Sequence, residues 1–322
     1  MYRLFNNAHY DFIGLRKKAY LFSGVALALS LLVAIFWAVT QGKALNYGVD
    51  FTGGTVVQVK VPQARDAGDL RGVVEQAVPG TGITRFGEGG EEYLIRTPGG
   101  SGDEATGASD AVIQALRTKF GADGVEVVRT EAVGAKVGGE LQKKAILAIL
   151  ISFGATLIYL AFRFEWRFGT AAVVATVHDV LLTLGVIIIL RLEVSLPMVA
   201  AILTIVGYSL NDTIIVFDRI RENLRTSRRI DFAQTMNRSI NETLPRTLLT
   251  VGTTLATLLA LFLFGGTIIR EFALILIVGI VLGTYSSIFV ASPVLLEIEK
   301  RWPGETAVKT GAKRPVKRPA RA

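Results

Sequence analysis

The chain has 322 residues, of which 51% are hydrophobic and only 19% are charged. Ordinary soluble domains carry a charge on about a quarter of their residues, so this composition excludes them and indicates an integral membrane protein. Cysteine is absent, which excludes disulfides and thiolate metal sites. The net charge is +8, yet residues 40–141 contain ten basic and fourteen acidic side chains. We interpret the basic surplus elsewhere as a signal for topology and anionic membrane lipids, with no specific nucleic-acid partner.

Six apolar segments are long enough to cross about 30 Å of hydrocarbon, which takes roughly 20 residues. They are residues 19–39, 145–162, 168–190, 194–217, 247–264 and 272–296. The first follows a basic cluster as a signal peptide would, but its length predicts an uncleaved anchor. On one side of the predicted membrane there are 21 Lys and Arg residues, against only Arg191 and Arg270 in the opposite short loops. This asymmetry predicts a multi-pass protein with both termini in the cytoplasm.

Residues 40–141 read as a separate, exported domain between the first two spans. The pattern is strand, helix, strand, strand, helix, strand, at residues 55–61, 64–78, 82–87, 92–97, 104–120 and 124–130. That order predicts an α+β ferredoxin-like domain. The Gly-rich stretch 97–109 predicts a flexible link. Nucleotide-binding and metal-binding motifs are absent from the sequence, so we expect no cofactor and no metal.

The predicted fold class is therefore an α-helical polytopic membrane protein with six transmembrane helices plus one α+β ferredoxin-like exported domain. Its predicted parts are a cytoplasmic N-terminus (1–18), transmembrane helix 1 (19–39), the exported domain (40–141), transmembrane helices 2 to 6 (142–298) and a basic cytoplasmic tail (299–322).

Asp212 is the candidate functional residue that the composition singles out. It lies in the fourth apolar segment, where an ionised side chain costs about 2.5–3.5 kcal/mol at the membrane centre, so it is a functional hypothesis by default. Thr204, Tyr208, Asn211 and Asp212 share one helical face. The spacing predicts a buried carboxylate that binds and releases protons. The alternative is a protonated carboxyl that only helps helices to pack.

Arg246 is the predicted partner of Asp212, because a proton-carrying carboxylate needs a movable cation to lower its proton affinity again. Pro245 precedes Arg246, and this pair predicts that the fifth helix starts there. Thr250, Thr253 and Thr257 continue a polar face from Arg246. Alternatively, Arg246 merely extends its side chain to the lipid headgroups.

Two further sets of residues stand out in the spans. His178 and Asp179 lie in the third span and are secondary candidates for a proton relay, together with Tyr208 and Asn211; a hydrogen-bonded packing pair is the alternative. In the sixth span a seam of small residues permits close helix packing and is a candidate docking place for another subunit. The seam consists of Gly279, Gly283, Ser287 and Ala291. The N-x-[ST] triplets at Asn211, Asn237 and Asn241 are interpreted as chance matches.

Five sequence blocks carry a resemblance to a known family. They are YGVDFTGG (47–54), FRFEWRF (162–168), VHD (177–179), GYSLNDTIIVFDRIREN (207–223) and GTYSSIFVASP (283–293). Together they resemble the SecD/SecF family of bacterial protein-export membrane proteins, within the resistance-nodulation-division superfamily. The likeness covers nearly the whole chain apart from the tail. It marks Asp50, Phe51, Gly53 and Gly54 as a family motif in the exported segment.

The resemblance implies a non-enzymatic subunit in the bacterial cytoplasmic (inner) membrane that uses the proton motive force to promote polypeptide export. It implies SecD and the SecYEG channel as partners, with SecA indirectly, YajC, the translocating polypeptide and membrane lipids as further contacts. Proton passage would involve Asp212 and Arg246. Some bacteria fuse SecD to this half; here any Asp that SecD supplies is absent from the chain.

Two alternatives are set against this reading. Half of a proton-driven exporter of small molecules or lipids would need a large exported domain with a substrate pocket, but residues 40–141 predict one small core. An intramembrane aspartyl protease could use Asp179 and Asp212 as a dyad. Such enzymes carry a G-x-G-D block, whereas Ser209, Leu210 and Asn211 precede Asp212 here.

Overall fold

The structure, a computed structural model, describes residues 9–62, 64, 66–86, 91–97, 103–226 and 231–303. In chain order its elements are α1 (Arg16–Gln41), β1 (Asn46–Tyr47), α2 (Val49–Thr52), β2 (Gly54–Lys60), α3 (Ala67–Ala77), β3 (Gly82–Phe86), β4 (Glu92–Thr97), α4 (Asp103–Phe120), β5 (Glu126–Val133), α5 (Ala135–Arg163), α6 (Trp166–Ile189), β6 (Glu193–Val194), α7 (Leu196–Thr226), α8 (Phe232–Phe264), α9 (Thr267–Ser286), a π-helical segment (Ser287–Ala291) and α10 (Ser292–Arg301). Two predicted segments lie largely or partly outside the described residues. They are the basic tail from residue 304 onwards and residues 98–102 of the Gly-rich link.

Six helices in the described part of the chain are long and apolar enough to cross a membrane, which confirms the six predicted spans. The sixth span consists of α9, the π-helical segment and α10 in direct succession. Pro293 has no backbone N–H, so the regular hydrogen bond to Phe289 is missing just where the helix widens. Ser292 Oγ donates to the carbonyl of Ser287 at 2.9 Å across the widened turn.

The prediction that the fifth helix starts at Pro245 was wrong, because α8 begins at Phe232 and Pro245 lies inside it. A proline inside a helix removes one hydrogen bond and crowds the preceding turn. Here the preceding turns carry a buried apolar stripe, Met236, Ile240 and Leu244, at intervals of four residues. Burial of these side chains outweighs the cost of the proline, since each contributes about 1.5–3 kcal/mol.

The chain divides into two compact units, and the first contains most of the membrane-spanning helices. It comprises Met1–Ala44, Ser152–Leu190 and Ala200–Ala322. Phe168 and Phe217 pack edge to face in its core, with ring centroids 5.4 Å apart. Arg167 and Glu299 are both buried there and form an ion pair at 2.6 Å between α6 and α10.

The second unit comprises Leu45–Ile151 with Arg191–Val199. The elements β2, α3, β3, β4, α4 and β5 follow one another in the predicted order, with β1, α2 and β6 in addition, and β2 to β5 form an antiparallel sheet in the spatial order β3-β4-β2-β5. The alternate side chains Val57 and Val59 of β2 point into a core with Leu70 of α3 and Leu116 of α4. Separately, β1 pairs in parallel with β6, which precedes α7.

The N-terminal segment before α1 is held against α8 by Asn237 and Asn241. The Asn241 amide accepts from Tyr10 N–H at 3.0 Å and donates to the Tyr10 carbonyl at 2.9 Å. Asn237 accepts from Ile13 N–H at 2.9 Å and donates to the Asp11 carboxylate at 2.7 Å. The Gly14 N–H and the Asn237 amide hold the pKa of Asp11 below its usual range. The asparagines of two of the three chance N-x-[ST] matches thus bind the N-terminal segment to α8.

Candidate functional site

Asp212 is buried on α7 with only 2% of its surface exposed. Its Oδ2 atom has no hydrogen-bond partner among the described residues. Asn211 and Thr204 are exposed on the same helix, while Tyr208 is half-buried and donates to Thr254 Oγ1 of α8 at 3.3 Å. A buried carboxylate without donors is costly in its ionised form, since its desolvation is not offset. Asp212 is therefore a group that requires either a proton or a cation.

Arg246 lies on α8 and supplies a positive charge that acts on the Asp212 carboxylate. Within the described residues the two side chains form neither a hydrogen bond nor an ion pair within 4.0 Å. Arg246 is exposed on the isolated chain. The guanidinium is thus near enough to influence Asp212 but is not bound to it.

Thr250, Thr253 and Thr257 continue from Arg246 along one exposed face of α8. Each hydroxyl donates to a carbonyl one turn earlier on the same helix, such as Thr250 Oγ1 to Arg246 O at 3.1 Å. Their donors are satisfied within the helix, so the face can lie in a membrane or against another helix. We call the surface formed by Arg246, Thr250, Thr253 and Thr257 the threonine face.

Asp179 is in a different hydrogen-bonding state from Asp212. Its Oδ2 accepts from Ser209 Oγ at 2.5 Å and from Ser286 Oγ at 2.6 Å, while its Oδ1 contacts His178 Nδ1 at 2.9 Å. Only 1% of its surface is exposed. Three contacts satisfy both oxygens of this carboxylate.

The same network reaches α1 through His178. His178 Nε2 contacts Ser23 Oγ at 3.0 Å, and Ser23 Oγ contacts the Tyr285 hydroxyl at 3.2 Å. Tyr285 donates its proton to the carbonyl of Ala19 at 3.0 Å, so it accepts from Ser23. All contacts are then satisfied when His178 Nε2 donates to Ser23 and one proton lies between His178 Nδ1 and Asp179 Oδ1. We call Ser23, His178, Asp179, Ser209, Tyr285 and Ser286 the polar cluster; it joins α1, α6, α7 and α9.

The small-residue seam of the sixth span is filled by α7 of the same chain. A Cβ atom at Gly279 would lie 2.2 Å from Ile205 Cδ1, and one at Gly283 would lie 2.9 Å from Ser209 Cβ. Ser287 continues the seam with a hydrogen bond to Thr213 Oγ1 at 2.8 Å. The idea that the seam receives another subunit is therefore wrong at these three positions, because Ile205, Ser209 and Thr213 occupy it.

The family motif in the second unit adopts a compact turn. Val49–Thr52 forms one helical turn, and Gly53 and Gly54 then take positive φ angles of 71° and 120°. Side chains with a Cβ rarely adopt these angles, so the paired glycines are required to redirect the chain into β2. Phe51 is buried, and the Asp50 carboxylate accepts from the backbone N–H of Leu196 at 2.8 Å.

The sequence did not point to three serines and one tyrosine of the polar cluster, Ser23, Ser209, Ser286 and Tyr285. Serine and tyrosine also occur in spans as simple packing residues, so the spacing of these four residues did not predict that they contact Asp179 or His178. His178 and Asp179 were predicted as secondary proton-relay candidates or as a hydrogen-bonded packing pair, without their partners on the other helices. Among the described residues no group of three or more His, Asp or Glu side chains is arranged to hold a metal ion.

Six spanning helices, a folded α+β unit after the first of them and a buried carboxylate without donors define a polytopic membrane protein of the transporter class. The sequence places it within that class. Residues 112–301 match the family described as Protein export membrane protein SecD/SecF, C-terminal, and residues 42–63 match the SecD/SecF GG motif. The chain belongs to the SecD/SecF family.

Similar proteins give the same result. The protein translocase subunit SecF of Gemmatimonas aurantiaca is 46% identical over 94% of this chain and 91% of its own length. That of Rhodothermus marinus is 44% identical over 93% of this chain and 96% of its own length. The crystal structure of SecDF from Thermus thermophilus, a translocon-associated membrane protein, has a TM-score of 0.79 and 38% identity. It covers 94% of this chain, whereas this chain spans only 40% of the SecDF chain. The protein is thus a membrane subunit of the protein-export machinery.

Proposed function

We propose that this chain couples proton movement to polypeptide export, and that Asp212 is its proton-binding residue with Arg246 as the responding cation. The carrying observation is the state of Asp212, which is buried without a hydrogen-bond donor while the charge of Arg246 acts on it. Protonation of Asp212 would remove its attraction for Arg246, and deprotonation would restore it. Each proton that crosses 100 mV supplies about 2.3 kcal/mol for the cycle.

SecD is the proposed partner, and the threonine face is the surface that it covers. Arg246 at one end of this face is a full charge exposed on the isolated chain, and charged groups in spans almost always face protein or water. The SecDF structure is more than twice as long as the matched part, so its remaining helices are available to cover such a face. We further propose contact with SecYEG, with YajC, with SecA indirectly, and with membrane lipids and the translocating polypeptide.

The second unit is proposed to be a ferredoxin-like domain on the outer side of the inner membrane, with both termini in the cytoplasm. Support comes from the β-α-β-β-α-β order, the antiparallel sheet order β3-β4-β2-β5 and the distribution of Lys and Arg. We propose that the protein is not an enzyme. A protease dyad is not favoured, because His178, Ser209 and Ser286 engage both oxygens of Asp179, and no hydrogen bond joins this carboxylate to Asp212 in the described residues.

The test compares Asp212→Asn with Asp218→Asn. Asp218 lies on the same helix, is half-exposed and pairs with Arg163, so it is a matched carboxylate outside the proposed site. Asp212→Asn is expected to accumulate normally, to co-isolate with SecD and to lose the part of export that depends on the proton motive force. Asp218→Asn is expected to keep it. Normal proton-dependent export by Asp212→Asn, measured at equal expression, would contradict the proposed function.

A further inference from the structure

The family motif is attached to the first turn of α7 at several points, all of them in the second unit. Asn46 and Tyr47 pair in parallel with Glu193 and Val194, and Gly48 N–H donates to the Val194 carbonyl at 2.9 Å. Asp50 Oδ2 then accepts from Leu196 N–H at 2.8 Å. The chain from 46 to 50 thus runs alongside the chain from 193 to 196.

Asp50 satisfies a donor that the helix itself leaves free. Leu196 is the first residue of α7, and the first N–H groups of a helix have no partner within it. Pro197 is well placed in this first turn because it has no N–H to satisfy. A carboxylate at a helix N-terminus is also stabilised by the helix dipole. Asp50 therefore caps α7 from a distant part of the chain.

The opposite side of the motif is fixed by the domain to which it belongs. A Cβ atom at Gly138 of α5 would lie 2.9 Å from Gly53 N and 3.1 Å from the Phe51 carbonyl, so the helix and the turn are in backbone contact. Gly54 begins β2, the central strand between β4 and β5. In addition, Arg96 of β4 forms an ion pair with Glu193. The motif is thus held by the sheet on one side and holds the start of α7 on the other.

We infer that Asp50 is a positioning residue, and that the Asp50–Leu196 cap makes residues 46–54 a rigid joint between the α+β unit and α7. α7 is one uninterrupted helix that carries Asp212 sixteen residues after Leu196, or about 24 Å along its axis. A displacement of this helix along its axis is therefore passed to the joint without an intervening loop. The inference rests on the proposed function and adds the path by which a proton event on α7 reaches the α+β unit.

The contact itself is tested first, by hydrogen exchange on the full chain in mild detergent. Asp50→Ala removes the acceptor, and Leu196→Pro removes the donor at a helix position that tolerates proline. Faster exchange is expected for the remaining amides in the first turn of α7 in both variants, without change in its later turns. Asp50→Asn keeps an acceptor oxygen and is expected to exchange like the parent. Unchanged exchange in Asp50→Ala would overturn the cap.

The role of the joint is tested in export assays with an engineered disulfide. The chain contains no cysteine, so Tyr47→Cys and Val194→Cys, which occupy opposite positions of the β1–β6 pair, form a single defined cross-link and leave the Arg96–Glu193 ion pair in place. Asp50→Ala and Leu196→Pro are each expected to lose proton-dependent export at least tenfold. Asp50→Asn should retain it. The oxidised disulfide should restore export to Asp50→Ala, and reduction should abolish the rescue.

Two results would overturn the rigid joint: full export by Asp50→Ala, or no rescue by the disulfide in a variant that accumulates normally. If Asp50→Ala does not accumulate, Leu196→Pro decides in its place by the same criteria. Asp212→Asn is assayed in parallel to separate the two proposals. If Asp212→Asn exports normally, the proposed function fails; if only Asp212→Asn is defective, the joint alone fails.

Discussion

Asp179 and Asp212 lie on neighbouring spans and are equally hidden, yet they have opposite hydrogen-bonding states. Asp179 has three partners, and those on α7 and α9, Ser209 and Ser286, restrict how these helices pack against α6. Asp212 Oδ2 has none among the described residues. A carboxylate that already has its donors stabilises one packing arrangement, whereas one without donors is free to change partners. We propose on this basis that Asp179 stabilises the helix packing and that Asp212 exchanges protons.

Stability measurements separate these two roles. Asp179→Asn places an amide N–H₂ against either the serine hydroxyls or His178, and leaving buried donors or acceptors unpaired costs about 1–3 kcal/mol. We expect a lower midpoint of thermal unfolding in detergent for Asp179→Asn. Asp212→Asn removes no hydrogen bond at Oδ2, so its midpoint should stay near that of the parent. A large drop for Asp212→Asn with no drop for Asp179→Asn would reverse the assignment.

Individual residues could be predicted from the sequence only where their chemistry was unusual for their surroundings. The sequence identified four ionisable groups in apolar segments: Asp212, Arg246, His178 and Asp179. It could not identify the partner of Asp50, because the Leu196 N–H is a backbone group some 150 residues away. Asn237 and Asn241 were dismissed for a related reason, since a polar residue in the part of α8 that precedes its apolar segment gives no sign of what it binds.

At the scale of elements, α7 and α9 are matched residue by residue. Gly279, Gly283 and Ser287 face Ile205, Ser209 and Thr213, and both series advance by four residues. This close approach brings Ser286 of α9 and Ser209 of α7 to the same oxygen of Asp179. The polar cluster therefore depends on the seam, because serines on helices that are farther apart could not both donate to one carboxylate.

Gly283→Ala tests this dependence, with Gly252→Ala of α8 as its matched control. A methyl group at Gly283 would meet Ser209 Cβ at 2.9 Å and its Cα at 3.2 Å, whereas nothing lies within 4 Å at Gly252. Overpacking of this kind costs about 1–3 kcal/mol. Alanine in an open helical position gains up to about 1 kcal/mol over glycine. We expect Gly283→Ala to lower the unfolding midpoint and Gly252→Ala to keep or raise it; equal midpoints would show that α7 and α9 are not in close contact.

The sequence predicted elements better than it predicted their ends. Apolar runs identified all six spans, because a span must satisfy a simple length and hydropathy requirement. The start of α8 was misplaced by 13 residues, since Pro245 is a reliable stop signal only where no buried stripe continues past it. The small-residue seam was recognised as a packing surface, but its partner was not, because glycine spacing does not identify the helix that fills it.

At the scale of the whole molecule, the chain presents a polar surface inside its membrane region. The threonine face begins with the charge of Arg246 and lies on the side of α8 that is exposed on the isolated chain. Leu248 is also exposed, at 40%, but it lies about 160° around the helix from Thr250 and about 140° from Thr253. An apolar side chain such as Leu248 is compatible with lipid, whereas a face that combines threonines with a guanidinium favours a second protein. The same helix therefore carries a proposed partner surface and a lipid surface on different sides.

Thr250→Trp and Leu248→Trp distinguish these two surfaces. A tryptophan in a packed helix interface displaces the partner, and a penalty of about 1–3 kcal/mol corresponds to roughly a 5- to 150-fold loss of binding. We expect Thr250→Trp to reduce the SecD that co-isolates in mild detergent by about tenfold. Leu248→Trp should leave it unchanged, because aromatic side chains are tolerated towards lipid. Equal co-isolation of SecD with both variants would mean that SecD covers a different part of the chain, and Arg246 would then face lipid headgroups or water rather than a partner helix.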